Sequence, residues 1–317
     1  MRLHYVGRKV GWALLTLVFI LTANFFLFRV MPGDPVALLA RSQRLSPEAL
    51  QHQRELFGLD QPLPLQYLTY LKQTLRGDLG VSIISGDTVW SMVASRLWPT
   101  VLLVGLGTAI AAMIGVAAGI RGGWNRGSSF DRGGLYSALV LYATPEGWLG
   151  MLLLIMFAGM LGWFPAGGYS TSSGSGATDV ANHLVLPVLT LALGYVGQFM
   201  IVMRSSLLDV KDEDYITTAR AKGLPDPLVR RRHAVPNAFL PSFTLIVLSF
   251  GFVLGGAIVV ETVFSWPGIG LLTYQAIKDQ DFPVLQAVFL LSSTAVIVAN
   301  LLADVTYGFL DPRVQDV

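Results

Sequence analysis

Apolar residues along this chain fall into six long runs, near 10–30, 100–120, 135–161, 184–203, 241–260 and 284–306. Each is close to the ~20-residue length that carries an α-helix across a bilayer. One such run would fit the buried core helix of a soluble domain. Six in one chain predict an all-α integral membrane protein with six transmembrane helices. The first run follows Arg8 and Lys9 but is longer than a secretory signal core and lacks an A-x-A-like cleavage site after it, so it reads as a retained helix. The chain then divides into 1–30 (N-terminal segment and first helix), an outer helical insert at 31–96, a core of five helices at 97–310 carrying a polar loop at 204–240, and a tail at 311–317.

Punctuation within the polar stretches predicts smaller elements. Ser46-Pro47-Glu48 has the serine N-cap and first-turn proline of a helix start, with a short helix at 49–57 ended by Gly58. Pro62 and Pro64 precede a second amphipathic piece at 65–75. In the third run Pro145 predicts a kink, and Glu146 beside it is costly in lipid. Two readings of Glu146 stand side by side: it lines a transport path together with Pro145 and Trp148, or it hydrogen-bonds a neighbouring helix. The Gly/Ser/Thr-rich stretch 167–179 reads as a flexible outer linker. Gly115-x-x-x-Gly119 and Gly251-x-x-x-Gly255 allow helices to approach closely. After the fifth run, Trp266-Pro267-Gly268-Ile269-Gly270 predicts a turn into a short interfacial or re-entrant helix at the outer surface, with Glu261, Trp266, Pro267 and Gly268 as a candidate outer gate. Asn300 and Asp304 lie one turn apart on one helix face, and Asp304, near the cytoplasmic end, is placed to snorkel or to pair with a basic residue rather than to bind an ion.

Composition agrees with the runs: 53% of the 317 residues are hydrophobic and 13% charged, with mean hydropathy +0.58, against about 25% charged in a soluble domain. The net charge is only +2, and its distribution is more informative. Basic residues cluster at the N-terminus (Arg2, Arg8, Lys9), after the second run (Arg121, Arg126, Arg132) and after the fourth (Arg204, Lys211, Arg220, Lys222, Arg230, Arg231, Arg232). Arg313 adds to the tail, whereas 162–183 has none and 261–283 only Lys278. The positive-inside rule predicts both termini and the 204–240 loop on the cytoplasmic side. The insert holds six basic and six acidic residues, and long loops translocate regardless of such charge.

Several chemistries lack the residues they need. There is no cysteine, hence no disulfide, thiol nucleophile or thiolate metal site. The dipeptide Gly-Lys is absent, so no phosphate-cradling P-loop exists, and G-x-G-x-x-G, H-E-x-x-H and G-x-S-x-G are missing too. The histidines His4, His52, His183 and His233 show no ligand spacing. No metal or cofactor is expected on this chain, and no enzymatic activity of its own.

The 204–240 loop is too elaborate for a simple turn. Residues 205–222 have helix-compatible composition, with Leu208, Tyr215, Ile216 and Ala219 able to share a face. Gly223 and Pro225 then end the helix. A second segment, 227–235, starts at a proline and ends at Pro236. Two short helices about a glycine turn would form a rigid knob with small Ala219 and Ala221 permitting close approach. Its arginines suit phospholipid headgroups, but uniform lipid contact needs no such punctuation, and a protein socket fits better.

The loop's motifs, D-Y-I-T-T-A-R-A-K-G-L and R-H-A-V-P-N-A, resemble the E-A-A-x(3)-G-x(9)-I-x-L-P pattern of ABC importer permeases. Thr217-Thr218-Ala219 falls on E-A-A, Gly223 on the glycine, and His233 to Pro236 on I-x-L-P. The version here is similar to the dipeptide/oligopeptide/nickel permeases. Further matches are R-V-M-P-G-D-P-V (29–36), G-L-D-Q-P-L-P-L-Q-Y (58–67), G-D-L-G-V-S (77–82), R-G-S-S-F-D-R (126–132), M-R-S-S-L-L-D-V (203–210), V-E-T-V-F-S-W-P-G-I-G (260–270) and D-P-R (311–313). One departure is A-T-P-E-G-W-L-G at 143–150, where the subfamily usually has S-x-P-x-F-W-L-G.

The resemblance implies a type I ABC importer permease fold in a bacterial or archaeal inner membrane. Implied partners are a homologous second permease, two cytoplasmic ATPase subunits carrying ATP and Mg²⁺, an external solute-binding protein and membrane lipid, with no nucleic acid. The ATPase-coupling residues would be Asp214, Tyr215, Thr217, Thr218, Ala219, Arg220, Ala221, Lys222, Gly223, Arg232, His233, Pro236 and Asn237. Di- or oligopeptide is the expected cargo, with nickel, glutathione and oligosaccharide carried by close relatives. An ion-coupled secondary transporter would want several intramembrane carboxylates, of which only Glu146 is a good candidate. A scaffold or receptor without transport activity is a third class.

Overall fold

Lipid offers no partner for backbone N–H and C=O groups, so apolar segments satisfy them internally as helices. The computed structural model describes residues 2–30, 61–171, 176–251 and 257–310, and among these there are helices and turns, with one isolated antiparallel bridge between Val81 and Thr88. The expected helix at 49–57, its start at Ser46-Pro47-Glu48, Gly58, Gly255 and the tail with Arg313 lie outside the described residues.

In chain order the helices are α1 (Arg2–Val30), α2 (Leu63–Leu75), α3 (Val89–Trp124), α4 (Ser129–Ala143), α5 (Glu146–Leu153, continued by a π-helical turn Leu154–Met160) and α6 (Ala177–Lys211). After these come α7 (Asp214–Ala221), α8 (Asp226–Val229, followed by a π turn Arg230–Ala234), α9 (Val235–Ala238), α10 (Leu240–Gly251), α11 (Ile258–Val263), α12 (Ile269–Asp279) and α13 (Phe282–Leu310). Four are long and apolar enough to cross a membrane: 22 residues of α1, α3, α6 and 23 residues of α13. The expected third run is α4 plus α5, bent by 100°, which makes a fifth crossing if the pair is one span. The expected fifth run is the 12-residue α10 and the 6-residue α11, with 252–256 between them outside the described residues.

The third run breaks rather than kinks. Proline disfavours the helical region for the residue before it, and Thr144 is extended at φ −81°, ψ 124°. Pro145 then caps a new helix instead of sitting inside an old one.

The core is built on α3 and α6, which run parallel. Gly107 meets Leu191, Gly115 meets Phe199, Gly119 meets Met203 and Gly123 meets Leu207. The offset stays constant along this stripe, and a Cβ on Gly115 would lie 2.6 Å from the Val196 carbonyl oxygen. The Gly115/Gly119 pair thus belongs to a longer small-residue stripe that includes buried Ala111. α4 packs antiparallel to α6, with Asp131 beside Arg204 and the Ala138 carbonyl against Gly197.

α1 and α13 are also antiparallel, joined by Lys9 Nζ to Asp304 Oδ2 at 2.9 Å and by Asn24 Nδ2 donating to the Gln286 carbonyl at 3.0 Å. Asp304 therefore has the basic partner expected for it. α2 begins two residues earlier than expected, capped by Pro62, and lies against α1 through Tyr67 and the Thr22 hydroxyl at 2.8 Å. Lys9, Trp124, Arg204 and Asp304 consequently share one end of the bundle, the basic end. The 77–82 motif sits at the other end, where Ser82 donates to the buried Asp281 carboxylate and Ile83 N–H donates to its other oxygen at 3.2 Å.

Candidate functional site

At the basic end, α6 stops at Lys211 where one helix through 222 was expected. The run Asp212-Glu213-Asp214 explains the stop: acidic side chains are unfavourable at a helix C-terminus and favourable at an N-terminus. Asp212 closes α6, and Glu213, extended at φ −74°, ψ 144°, opens α7. Gly223 adopts φ +79°. Its N–H donates to the Arg220 carbonyl at 2.9 Å, and Leu224 N–H to Ala219 at 3.4 Å, which is the Schellman pattern for ending a helix.

Beyond it the expected stop at Pro236 does not occur. The helical path continues from Asp226 to Ala238. The wide π turn Arg230–Ala234, immediately before Pro236, gives the ring the room that an α turn would deny it.

This knob is docked on the bundle. Ile216, Ala219, Val229, Ala234 and Ala238 are buried with Met203, Leu207 and Trp124 in one apolar cluster. Two expectations are corrected here. Tyr215 does not share the face of Ile216 and Ala219; it is 40% exposed and bonded to Asn237. Partial burial nevertheless pushes its phenol above its ordinary pKa, the Asn237 bond opposing. Ala219 packs inside this chain, so of the two alanines only Ala221 is open to a partner. Asp214, Thr217, Thr218, Arg220, Lys222, Gly223, Arg232, Pro236 and Asn237 are exposed, and His233 is half-buried. The structure thus gathers the expected loop residues on one knob and gives most of them to its open face.

Trp124, at the end of α3, was missed by sequence reasoning. Its Nε1–H donates to Asp226 Oδ2 at 2.6 Å, and its carbonyl accepts from Lys211 Nζ at 2.8 Å. The Lys211 and Arg220 cations lie 5.2 and 5.6 Å from the ring centroid, within cation–π range, and Arg220 reaches Asp226 at 3.6 Å. Nothing in the sequence pairs Trp124 with a residue so far along the chain. Nearby, Ser128 caps α4 by accepting from Asp131 N–H at 3.1 Å. Asp131 in turn accepts from Arg204 at 2.5 and 2.9 Å. The S-x-x-D of the 126–132 motif is the one signal that could have announced this capping arrangement.

At the opposite end, the expected gate residues form a buried knot. Glu261 and Trp266 have no exposed surface, and Pro267 and Gly268 are half-buried and buried. Thr100 Oγ1 donates to Glu261 Oε1 at 2.8 Å, and Leu271 N–H donates to Oε2 at 2.9 Å. Thr100 also accepts from Ile269 N–H at 2.8 Å, while Trp266 Nε1 donates to the Pro99 carbonyl at 2.9 Å. A Cβ on Gly268 would fall 2.3 Å from both Glu261 oxygens. The helix expected after this turn is present as α12. The described beginning of the 167–179 stretch, which leads into α6, is tethered to this knot: Gly168 N–H donates to the Phe264 carbonyl at 2.9 Å, and the Tyr169 ring lies 5.1 Å from Trp266.

Of the three expected path residues, Pro145 and Trp148 are exposed and Glu146 is half-buried. Glu146 hydrogen-bonds Tyr195 of α6. Trp148, two residues on, points to the far side of α5, since successive residues turn about 100°. The structure does not bring these two side chains together.

Long apolar helices around a glycine-lined core, with a helical knob docked at the basic end, define a multi-pass membrane protein. Comparison with known proteins makes the class specific: the chain belongs to the family of binding-protein-dependent transport system inner membrane components, whose model matches residues 111–316, with the N-terminal model of such components matching 2–104. It is 39% identical over 294 residues to a peptide permease protein of Brucella suis biovar 1 (strain 1330), covering 92% of each chain. It is 35% identical over 317 residues to the oligopeptide transport system permease protein AppB of Bacillus subtilis (strain 168), covering 98% of this chain and 99% of the relative. With the glutathione transport system permease protein GsiC of Pectobacterium atrosepticum it shares 37% identity over 318 residues, 99% of each. The protein is a multi-pass component of the inner membrane.

Proposed function

We propose that this chain is one permease subunit of an ATP-driven, solute-binding-protein-dependent importer of di- or oligopeptides, forming half of the translocation pathway with a homologous second permease. The observation that carries the reading is the knob: rigidly anchored on one side through Trp124, Ile216 and Ala219, and exposing Arg220, Lys222, Gly223 and Arg232 on the other. Two ATPase subunits, binding ATP and Mg²⁺ that this chain has no motif to hold, grip that face from the cytoplasm. Both termini lie on the same side as the knob. Closure of the ATPases moves the knob, and the knob moves α3 and α6, to which it is packed. Tilting this pair switches the bundle between inward-open and outward-open states, an alternating-access change between two conformations. In the outward-open state the external binding protein releases its ligand into the cavity between the permeases.

Peptide is favoured as cargo by the names of the relatives, and glutathione, itself a tripeptide, falls within that chemistry. The buried knot at Glu261 and Trp266 acts here as the fixed corner against which an outer gate closes. The reading is tested with the full complex in proteoliposomes by substituting Gly223→Asp, which the left-handed backbone tolerates but which puts a negative charge at the centre of a gripped face carrying Arg220, Lys222 and Arg232. Peptide uptake and binding-protein-stimulated ATP hydrolysis should both be lost. Retention of both would sink the lever.

A further inference from the structure

Glu146 opens α5 directly after the 100° break, and its surroundings suit a ligand better than a purely structural role. Its side chain lies against Gly194, where a Cβ would be 3.3 Å from Glu146 Cγ and 3.5 Å from Oε1. Gly194 is the middle residue of the 35-residue α6, so the carboxylate stands at half the depth of the bundle. A carboxylate at that depth is costly towards lipid and turns to an internal cavity or a partner charge.

Contrast with Glu261 is instructive. That carboxylate is fully buried and accepts from Thr100 and the start of α12, so its capacity is used. Glu146 is half-buried, and among the described residues its side-chain partner is the Tyr195 hydroxyl. One hydroxyl uses a fraction of what a carboxylate accepts, which is about four hydrogen bonds. Its open side therefore suits a group with several N–H donors and a positive charge.

We propose that Glu146 receives the ammonium group of the transported peptide, with Tyr195 as the positioning residue that holds the carboxylate towards the path. This rests on the peptide-importer reading above. Gly147 lies with Gly194 beside the site, and a Cβ on it would sit 2.8 Å from Val259 Cγ1.

The test uses the assembled transporter in proteoliposomes with one binding protein throughout. Uptake is measured for a peptide with a free N-terminus and for its N-acetylated form. Because the binding protein is unchanged, a shift in the ratio of the two kcat/KM values between variants belongs to the permease. Glu146→Gln should lower that ratio about 10-fold, chiefly through the KM of the free-amine peptide, as expected for losing one charged hydrogen-bonded contact. Tyr195→Phe should lower it about 3-fold, and Glu146→Asp should restore part of it. An unchanged ratio, whatever the absolute rates, overturns the proposal. Failure of Glu146→Gln to co-purify with the second permease, while Glu146→Asp assembles, overturns it in favour of a subunit ion pair. A wild-type transporter that moves neither peptide removes the peptide reading itself, and the proposal with it.

Discussion

α3 receives a turn from far along the chain at its last residue and another about three turns in from its first, and the two are held by different physics. At the basic end, Trp124 holds the α7–α9 knob through one indole hydrogen bond, two nearby cations and a small apolar cluster. Half of the knob stays in water. Towards the other end, Thr100 and Pro99 hold the turn between α11 and α12 through Glu261 and Trp266, with every one of these groups buried or nearly so. The first arrangement leaves a surface that another molecule can pull on. The second buries the side chains that make it and resists deformation. A lever needs both kinds of joint: one that transmits force from outside, and one that keeps the far corner fixed while the helices between them tilt.

The largest expected effect lies at the fixed joint. Glu261→Ala strands the Thr100 hydroxyl and the Leu271 N–H without an acceptor, and each buried orphan costs about 1–3 kcal/mol, with the missing side chain adding a cavity. A loss of about 3–5 kcal/mol is expected, visible as a large drop in the apparent unfolding temperature of the detergent-solubilised protein. Glu261→Gln keeps one acceptor oxygen and should lose clearly less. If Glu261→Ala unfolds at the wild-type temperature, the corner is not fixed and the comparison collapses.

Trp124 comes next because its contributions can be separated. Trp124→Ala removes a buried aromatic and should cost about 3 kcal/mol. Trp124→Phe keeps most of the packing and deletes only the indole donor. Asp226 is exposed enough to regain water, so the stability cost should be about 1 kcal/mol. The functional cost should be larger than that number suggests, with more ATP hydrolysed per peptide delivered, because a knob held less firmly can move without moving α3. Adding Asp226→Ala to Trp124→Phe should then cost less than Asp226→Ala costs alone, since both delete the same bond and only the Arg220 contact to Asp226 is left to lose. Full additivity of the two would show that the indole bond is not the link.

Legibility in the sequence divides along the same line. Periodic apolar length announced α1, α3, α6 and α13, and turn chemistry announced the Gly223 stop and the helix after Gly268. Three things were hidden. The break before Pro145 looked like a kink because proline's restriction of Thr144 acts on the preceding residue. The continuation through Pro236 was hidden because a π turn, which leaves no mark in the sequence, made room for it. The burial of Ala219 and of Glu261 was unreadable because a conspicuous residue in a loop looks the same whether it faces water or its own chain. Trp124 was missed for the converse reason: at the end of a long apolar helix it resembles any interfacial tryptophan, and its partner lies beyond four further helices.

A smaller effect is expected at the glycine of the knob. At φ +79° a Cβ costs about 1–2 kcal/mol in backbone strain, less what alanine recovers by stiffening the unfolded chain. Space is not the problem, since no atom lies within 4 Å of the position a Cβ would take. Gly223→Ala should therefore fold, lose about 1 kcal/mol and transport at a reduced rate. Gly223→Asn, which tolerates the left-handed region, should recover most of it. Equal impairment by alanine and asparagine would mean that the surface, and not the turn, is what the partner reads.

The smallest stability effect separates the two joints most cleanly. Lys222 and Arg232 are exposed on the knob, and replacing both with alanine should leave the unfolding temperature nearly unchanged, since surface substitutions away from caps and cores stay within about 0.5 kcal/mol. Their effect should appear only against the partner, as weaker association with the ATPase subunits in a titration of complex assembly. It should also depend on salt: exposed charges are screened beyond about 10 Å at 0.1 M, so the gap between variant and wild type should be widest at low ionic strength and close as salt is added. A gap independent of salt would assign these two side chains to shape rather than charge. A drop in the permease's own unfolding temperature would place them in the anchor, and the open face would then have to be drawn elsewhere on the knob.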